Sequence, residues 1–386
     1  MRFALVAVLI VIVAGCGGTS PKTALSPAAA VSPATAAVSS PLPSTSPAAS
    51  PSAAPSLSPT PLATPTGTLL VIDDFNATQV RLARLDALDT AVVTGHYDGV
   101  VNGQVIVING TALEALDRSG VARRLGTLAA QPGWTGPGAV AVKADLTQWV
   151  YTIADNNWTS RIHLGSAGGD RVVATIPSPD GNAFYQPFAW NASGLYFGRQ
   201  ATGLGGVGPF LEYVFPLARF DLATGRMAEV SPVCYAYAVL ADGTMVCRGA
   251  YNEPHLQVRT TSGLTFSIQV TRGTTGMNAA YSRVHVSPDN ARVIVNRDGS
   301  TDPVVNYQMA VTGRTDSSAS AFGPLDYVPD TWLPDGRVVA DHRCWLADSG
   351  GGPCNAALDG TYIFSANGST RTFFYKLKTG EVVNYI

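Results

Sequence analysis

One short unit recurs along the chain and constrains it more than any other feature. "TWLPDGRVVAD" (331–341) is matched by "VHVSPDNARVIVN" (284–296), "AVLADGTMVCR" (238–248), "FAWNASGLYFG" (188–198) and "VAVKADLTQWVYT" (140–152), about every 45 residues. Each copy reads as a strand, a tight turn and a second strand: apolar residues alternate with period 2, and Asp, Asn or Gly supplies the turn. Three residues before each turn stands a large apolar side chain, Val142, Trp190, Val239, Val286 or Trp332. "VVNGQVIVI" (100–108) and "PTGTLLVID" (65–73) are weaker members.

A second signature alternates with the first: a strand, a small-Gly or Asp turn, and another strand. "LARFDLATGRMAEV" (217–230) and "FFYKLKTGEVVNYI" (373–386) are its clearest copies, and seven copies of each signature can be aligned. Paired hairpins at this period are the pattern of four-stranded blades. One blade cannot cover both its faces, so blades stack radially. The expected fold is all-β, a β-propeller of seven four-stranded blades, with six as the alternative. Before "GTLLVID" the first unit lacks an innermost strand, and the chain ends on what reads as an outer one.

"SPDNARVIV" together with "FDLATG" resembles the TolB-type, WD-repeat-like propeller repeat of bacterial exported proteins. The resemblance covers residues 67–386. It implies fold and export, because propellers host many functions.

The N-terminus carries a different message. "MRFALVAVLIVIVAGC" has one cation, Arg2, and an apolar run from Phe3 to Val13. That run is shorter than the ~20 apolar residues of a spanning helix and reads as a secretory signal, residues 1–15. Val13-Ala14-Gly15-Cys16 resembles the bacterial lipobox. The resemblance implies a diacylglycerol on the thiol of Cys16, a membrane anchor made of lipid, and an extracytoplasmic location. Residues 16–66 hold 11 of the 26 prolines, no aromatic residue and a single charge, Lys22. Such a segment cannot bury enough apolar surface to order itself, and it reads as a linker of up to ~150 Å when extended.

Four cysteines remain, Cys234, Cys247, Cys344 and Cys354, and an even number in an exported chain points to disulfides. Of three pairings, Cys234 with Cys247 and Cys344 with Cys354 are favoured. If "ADGT" were a two-residue turn, Cys247 would face Ala238, so the first pairing requires a bulge or a wider loop there. The net charge is −2 without a basic block, and no footprint for nucleic acid exists.

In a four-stranded blade the tight turns occupy one rim, and the second-to-third loops and blade connections occupy the other. The insertions 198–216 and 342–360, with "ADNNWTS" (154–160) and "GAYNEPH" (249–255), fall on the latter. They bring Asn157, Trp158, Phe210, Glu212, Tyr213, Tyr251, Glu253, His255 and Trp345 toward one surface. Aromatic and amide groups on a rigid scaffold suit a protein, peptide or glycan partner at the cell envelope.

No catalytic residue, cofactor or metal is expected. "GLGGVG" (203–208) satisfies GxGxxG as a string, but strand residues follow it where a helix is required. The five histidines have no ligand spacing, and Asp73, Asp74 and Asp242 read as strand-end and turn residues. The alternative function is a propeller hydrolase or lactonase with a metal or carboxylate site at the channel, with Glu212, Glu253 and Asp348 as its first candidates.

Overall fold

The computed structural model describes residues 67–386 except 75, 87–88, 131–137, 179–180, 202–214, 249–254, 261–262, 270–279, 300–301, 311–319, 325–326, 343–354 and 377–379. All of them belong to the second of the two units into which the chain divides, residues 60–386. Signal, Cys16 and linker lie outside the described residues.

The described strands form six antiparallel sheets. The first contains β1 (Leu69–Asp74), β2 (Gln79–Arg84) and β3 (Asp89–Thr94); the second β4 (His96–Val101), β5 (Gln104–Asn109), β6 (Ala112–Leu116) and β7 (Ala122–Thr127). The third has β8 (Val140–Val142), β9 (Gln148–Ala154), β10 (Ser160–Ser166) and β11 (Gly169–Ile176). The fourth has seven strands: β12 (Ala183–Asn191), β13 (Gly194–Ala201), β14 (Phe215–Asp221), β15 (Arg226–Val239), β16 (Met245–Arg248), β17 (His255–Thr260) and β18 (Gly263–Gln269). The fifth holds β19 (Ala280–Val286), β20 (Arg292–Gly299), β21 (Asp302–Ala310) and β22 (Ser320–Ala321). The sixth holds β23 (Tyr327–Trp332), β24 (Val338–His342), β25 (Gly360–Phe364) and β26 (Arg371–Tyr375). The last strand of the chain, β27 (Glu381–Tyr385), returns to the first sheet, whose order is β27-β1-β2-β3.

Side chains on the central strands alternate between the two neighbouring sheets, which is how each blade covers the next. On β1, Leu69 and Val71 pack with Val105 and Val107 of the second sheet, while Leu70 and Ile72 pack with Leu333 and Val339 of the sixth. On β5, Ile106 and Ile108 turn the other way, toward Trp149 and Tyr151 of the third. Val150 then faces Leu195 and Phe197 of the fourth, and Ile294 of the fifth meets Trp332 and Phe364 of the sixth. With β15 lying beside β19, the neighbours run full circle. The architecture is an all-β propeller of four-stranded blades. Each aliphatic side chain buried this way contributes roughly 1.5–3 kcal/mol. Trp149, 1 % exposed, lies over Gly126 and Gly165, where any Cβ would overlap its ring.

Two expectations are corrected. Six sheets form, the alternative number and not seven, and the reason is β15. At its first end, Arg226–Ser231 pairs with β14; the register then shifts across residues 232–234; Tyr235 and Ala236 pair with both β14 and β16, and Ala238 and Val239 with β16. No break in the strand separates the two arrays, so one sheet carries both. The second correction concerns "FFYKLKTGEVVNYI", which is not a hairpin. Its first strand, β26, ends the sixth sheet, and its second, β27, supplies the innermost strand that the first sheet lacks. The missing strand and the surplus one are the same residues.

Four of the inner strands share a device with no sequence signature. Counting from the turn, two or three residue pairs form and then one residue bulges out: Asp98 on β4, between the pairs at Gly99 and Tyr97, and Phe188 on β12 after three; Tyr237 on β15 and Asp330 on β23 after two. Val383 of β27 takes the same place relative to the chain ends. A bulge re-aims the side chain it carries. On β15 it also shifts the register, and with a turn closed by Leu240 N–H on Thr244 O it sets Cys247 opposite Ala236. Cys234 thereby reaches Cys247 in a disulfide with Cα atoms 5.4 Å apart. Cys344 and Cys354 lie outside the described residues.

Candidate functional site

Strand order fixes two rims. First-to-second and third-to-fourth connections turn at one, here the turn rim; second-to-third connections and those between sheets lie at the other, the loop rim. The turn rim is built from Asx turns: Asp145, Asp242, Asp289 and Asp335 each accept a backbone N–H two residues on, from Thr147, Thr244, Ala291 and Arg337. Asp242 thus has the turn role expected of it.

The connections β9–β10, β13–β14, β16–β17 and β24–β25 are all second-to-third, so their flanking strands open onto the loop rim. Of the nine candidate residues, Asn157 and Trp158 are described. His255 opens β17; its side chain, and Phe210, Glu212, Tyr213, Tyr251, Glu253 and Trp345, lie outside the described residues, as do the alternative's Glu212, Glu253 and Asp348.

Asn157 and Trp158 belong to a tight loop organised by Asp155. Its backbone N–H donates to Thr159 O at 3.1 Å, Trp158 N–H donates to Asp155 O at 2.9 Å, and Asp155 Oδ1 accepts from the N–H groups of Asn157 and Thr159 at 2.9 and 3.0 Å. These donors hold the Asp155 carboxyl below the usual range, the Thr159 amide most of all. The loop forces its fourth residue into the left-handed region, and Trp158 has φ +60°.

Six further described turns combine the same donation from the fourth residue to the first with a left-handed fourth residue. There the fourth residue is Gly120, Gly243, Gly336, Gly368, Asn290 or Leu146. Glycine and asparagine adopt this conformation cheaply; a bulky residue costs on the order of 1–2 kcal/mol. Leu146 places its side chain in the core, whereas Trp158 remains 37 % exposed. Its indole stacks on Phe184 of β12, ring centres 5.9 Å apart and planes 19° from parallel. Phe184 is held in turn, because the next amide, Tyr185 N–H, donates to the buried Ser160 Oγ at 2.8 Å. Such a stack contributes ~0.5–1.5 kcal/mol and no more than offsets the strain. Phe184 was not singled out in the sequence, since it lies on an ordinary alternating strand.

Buried carboxyls form the other polar feature toward the loop rim. The bulged Asp98 accepts Val140 N–H at 3.0 Å through Oδ1, and its carbonyl accepts Gly138 N–H at 3.0 Å, tying the second sheet to the third. Burial pushes its carboxyl up to about 8, against the pull of the Val140 and Ala139 amides. Asp73 stands opposite Glu381 in the β1–β27 register. Burial, then the charges of Glu381 and Asp74, raise it to about 6, while an amide bond from Tyr97 opposes them. Asp74 caps its strand end by accepting Ala77 N–H at 3.1 Å.

Two histidines are packed against acids. His163 Nδ1 lies 2.7 Å from Asp170 Oδ1, whose other oxygen accepts the Tyr151 hydroxyl at 2.7 Å, and His342 Nδ1 lies 3.0 Å from Asp359 Oδ1. Trp332 is a core residue, whereas Trp190 at the same repeat position is partly buried, and Trp332 donates Nε1–H to His285 O at 2.9 Å. Among the described residues no three His, Cys, Asp or Glu side chains gather as metal ligands, and no helix is long and apolar enough to cross a membrane.

No protein-family model and no curated protein matches the chain. Among solved structures it is similar to a candidate TolB from Agrobacterium tumefaciens (10 % identity, 82 % of this chain and 91 % of that one, TM-score 0.39). It is also similar to TolB from Acinetobacter baumannii (12 %, 66 % and 65 %, 0.41) and to a candidate 6-phosphogluconolactonase from Bacteroides fragilis (11 %, 85 % and 99 %, 0.49). At such identity a likeness concerns fold, and the chemistry has to be argued from this chain's own residues.

Proposed function

We propose that the chain is a non-enzymatic lipoprotein, anchored through Cys16 to the extracytoplasmic face of a bacterial membrane, whose propeller (67–386) binds a protein, peptide or glycan partner at the cell envelope with its loop rim. The observation that carries this reading is Trp158: an exposed aromatic kept at a strained position on the rim where the long connections open. Two facts support the geometry. β1 starts at the turn rim, since Leu69 pairs with Ile386 at the end of β27. By position in the chain, Phe210, Glu212, Tyr213, Tyr251, Glu253 and Trp345 fall in second-to-third connections, the same class as the Trp158 loop, and His255 opens β17 at the end of one.

Two measurements test it. Replacing Cys16→Ser should move the full chain from the membrane fraction to the soluble one and abolish labelling by a clickable palmitate analogue; an unchanged membrane fraction would contradict the anchor. For the rim, Trp158, Tyr213 and Trp345 are replaced together by Ala and a pull-down from envelope extract is repeated. Unchanged partners would contradict the face assignment. The hydrolase or lactonase alternative is decided by metal analysis: a stoichiometric divalent ion whose removal by chelator lowers the melting temperature would replace the binding reading.

A further inference from the structure

We infer that Trp158 is the stacking platform of a site for a neutral glycan, with Phe184 as its support and Asn156 and Asn157 as its polar flank. The inference rests on the binding-rim reading and narrows its partner class.

The turn itself does not require an aromatic. The fourth position is filled by glycine in four of the seven described turns of this kind, and by Asn290 in a fifth. Trp158 occupies the same backbone conformation at φ +60° with its side chain more than a third exposed. What holds the indole is a near-parallel stack on Phe184, so the plane of the ring is set before any ligand arrives and one face is taken. A preset flat aromatic face loses little conformational freedom on binding.

The surroundings select the chemistry of the ligand. Asn156, Asn157 and Trp158 are consecutive and exposed, offering amide donors and acceptors beside the ring. The one carboxylate in the loop, Asp155, is turned inward onto the N–H groups of Asn157 and Thr159 and is not presented to a ligand. An uncharged ligand with a flat apolar face edged by hydroxyls meets these terms, and a pyranose ring has that form. A cationic or anionic peptide finds no complementary charge in this loop; Arg161, beyond it on β10, is the nearest exposed charge along the chain.

The test uses the full chain and two defined probes, chitotriose and cellotriose, followed by isothermal titration and by indole fluorescence. Wild-type protein should bind at least one of them saturably; Trp158→Gly should weaken binding at least tenfold, and Trp158→Phe by only a few-fold. Because glycine suits φ +60°, Trp158→Gly should leave the thermal midpoint within a few degrees of wild type. A large fall in the midpoint would show that the indole serves the fold, and would overturn the inference. If neither sugar binds while a protein is captured from envelope extract by wild type and not by Trp158→Gly, the glycan assignment fails and the binding rim stands. If capture is also indifferent to Trp158, both fail at this site.

Discussion

Asp98 shows how far one residue's role departs from its appearance in the sequence. "HYDGVV" reads as a strand with a stray acid near a glycine. The bulge turns that acid into the neighbouring sheet, where it accepts the Val140 amide and its carbonyl accepts that of Gly138. Burial raises its pKa to about 8, from an unfolded value near 4. The folded state therefore holds a proton that the unfolded chain has released, and stability falls as pH rises through that window, by about 1 kcal/mol per pH unit. Asp73, raised to about 6, adds to the lower part of the same window. Urea midpoints between pH 5 and pH 8 should decline for wild type and decline much less for Asp98→Asn, which keeps an acceptor but not the titration. A wild-type profile that rises with pH would contradict the buried, protonated acid. Residue-scale features of this kind were illegible beforehand, because a bulge leaves no mark in the alternation of side chains. Trp158 was legible as an aromatic on a loop, but its left-handed φ and its stack on Phe184 were not.

At the scale of elements, the strand-turn-strand unit was readable wherever a turn has its own chemistry. The Asp and Asn side chains that marked the turns in the sequence are the ones that accept backbone N–H groups in the structure. Where no turn residue stands between two strands, the reading failed: Pro232-Val233-Cys234 makes only a register shift, Tyr235 and Ala236 pair on both sides, and β15 runs through both arrays. The disulfide sits at this junction. Cys234 and Cys247 are each 1 % exposed or less, and they pack with Tyr196, Leu217 and Met245. Closing a loop of this length contributes roughly 3 kcal/mol in the chain-entropy model. The double variant Cys234→Ala with Cys247→Ala should lower the thermal midpoint by several degrees and make it insensitive to reductant, while wild type loses a similar amount on reduction. A midpoint unaffected by either treatment would remove the bridge from the account.

For the whole molecule, the period of the repeat was enough to name the architecture, since sheets with two apolar faces each need two neighbours and a ring supplies them with no face left over. It was not enough to say how the ring closes. The sequence places a partial unit at residue 67 and an apparent outer hairpin at the C-terminus, and nothing local shows that each completes the other. The candidate rim follows from topology in the same way: which end of each strand a connection leaves is decided by strand order, not by the connection's composition. Both conclusions depend on β27 lying innermost, between β1 and the inner strands of its neighbours. Termini usually exchange quickly unless they are tied into a sheet. Native-state hydrogen exchange at residues 381–385 is therefore the most direct measurement. Protection comparable to that of β1 and β5 is the result expected of a closed ring, and exchange as fast as a frayed tail would contradict it.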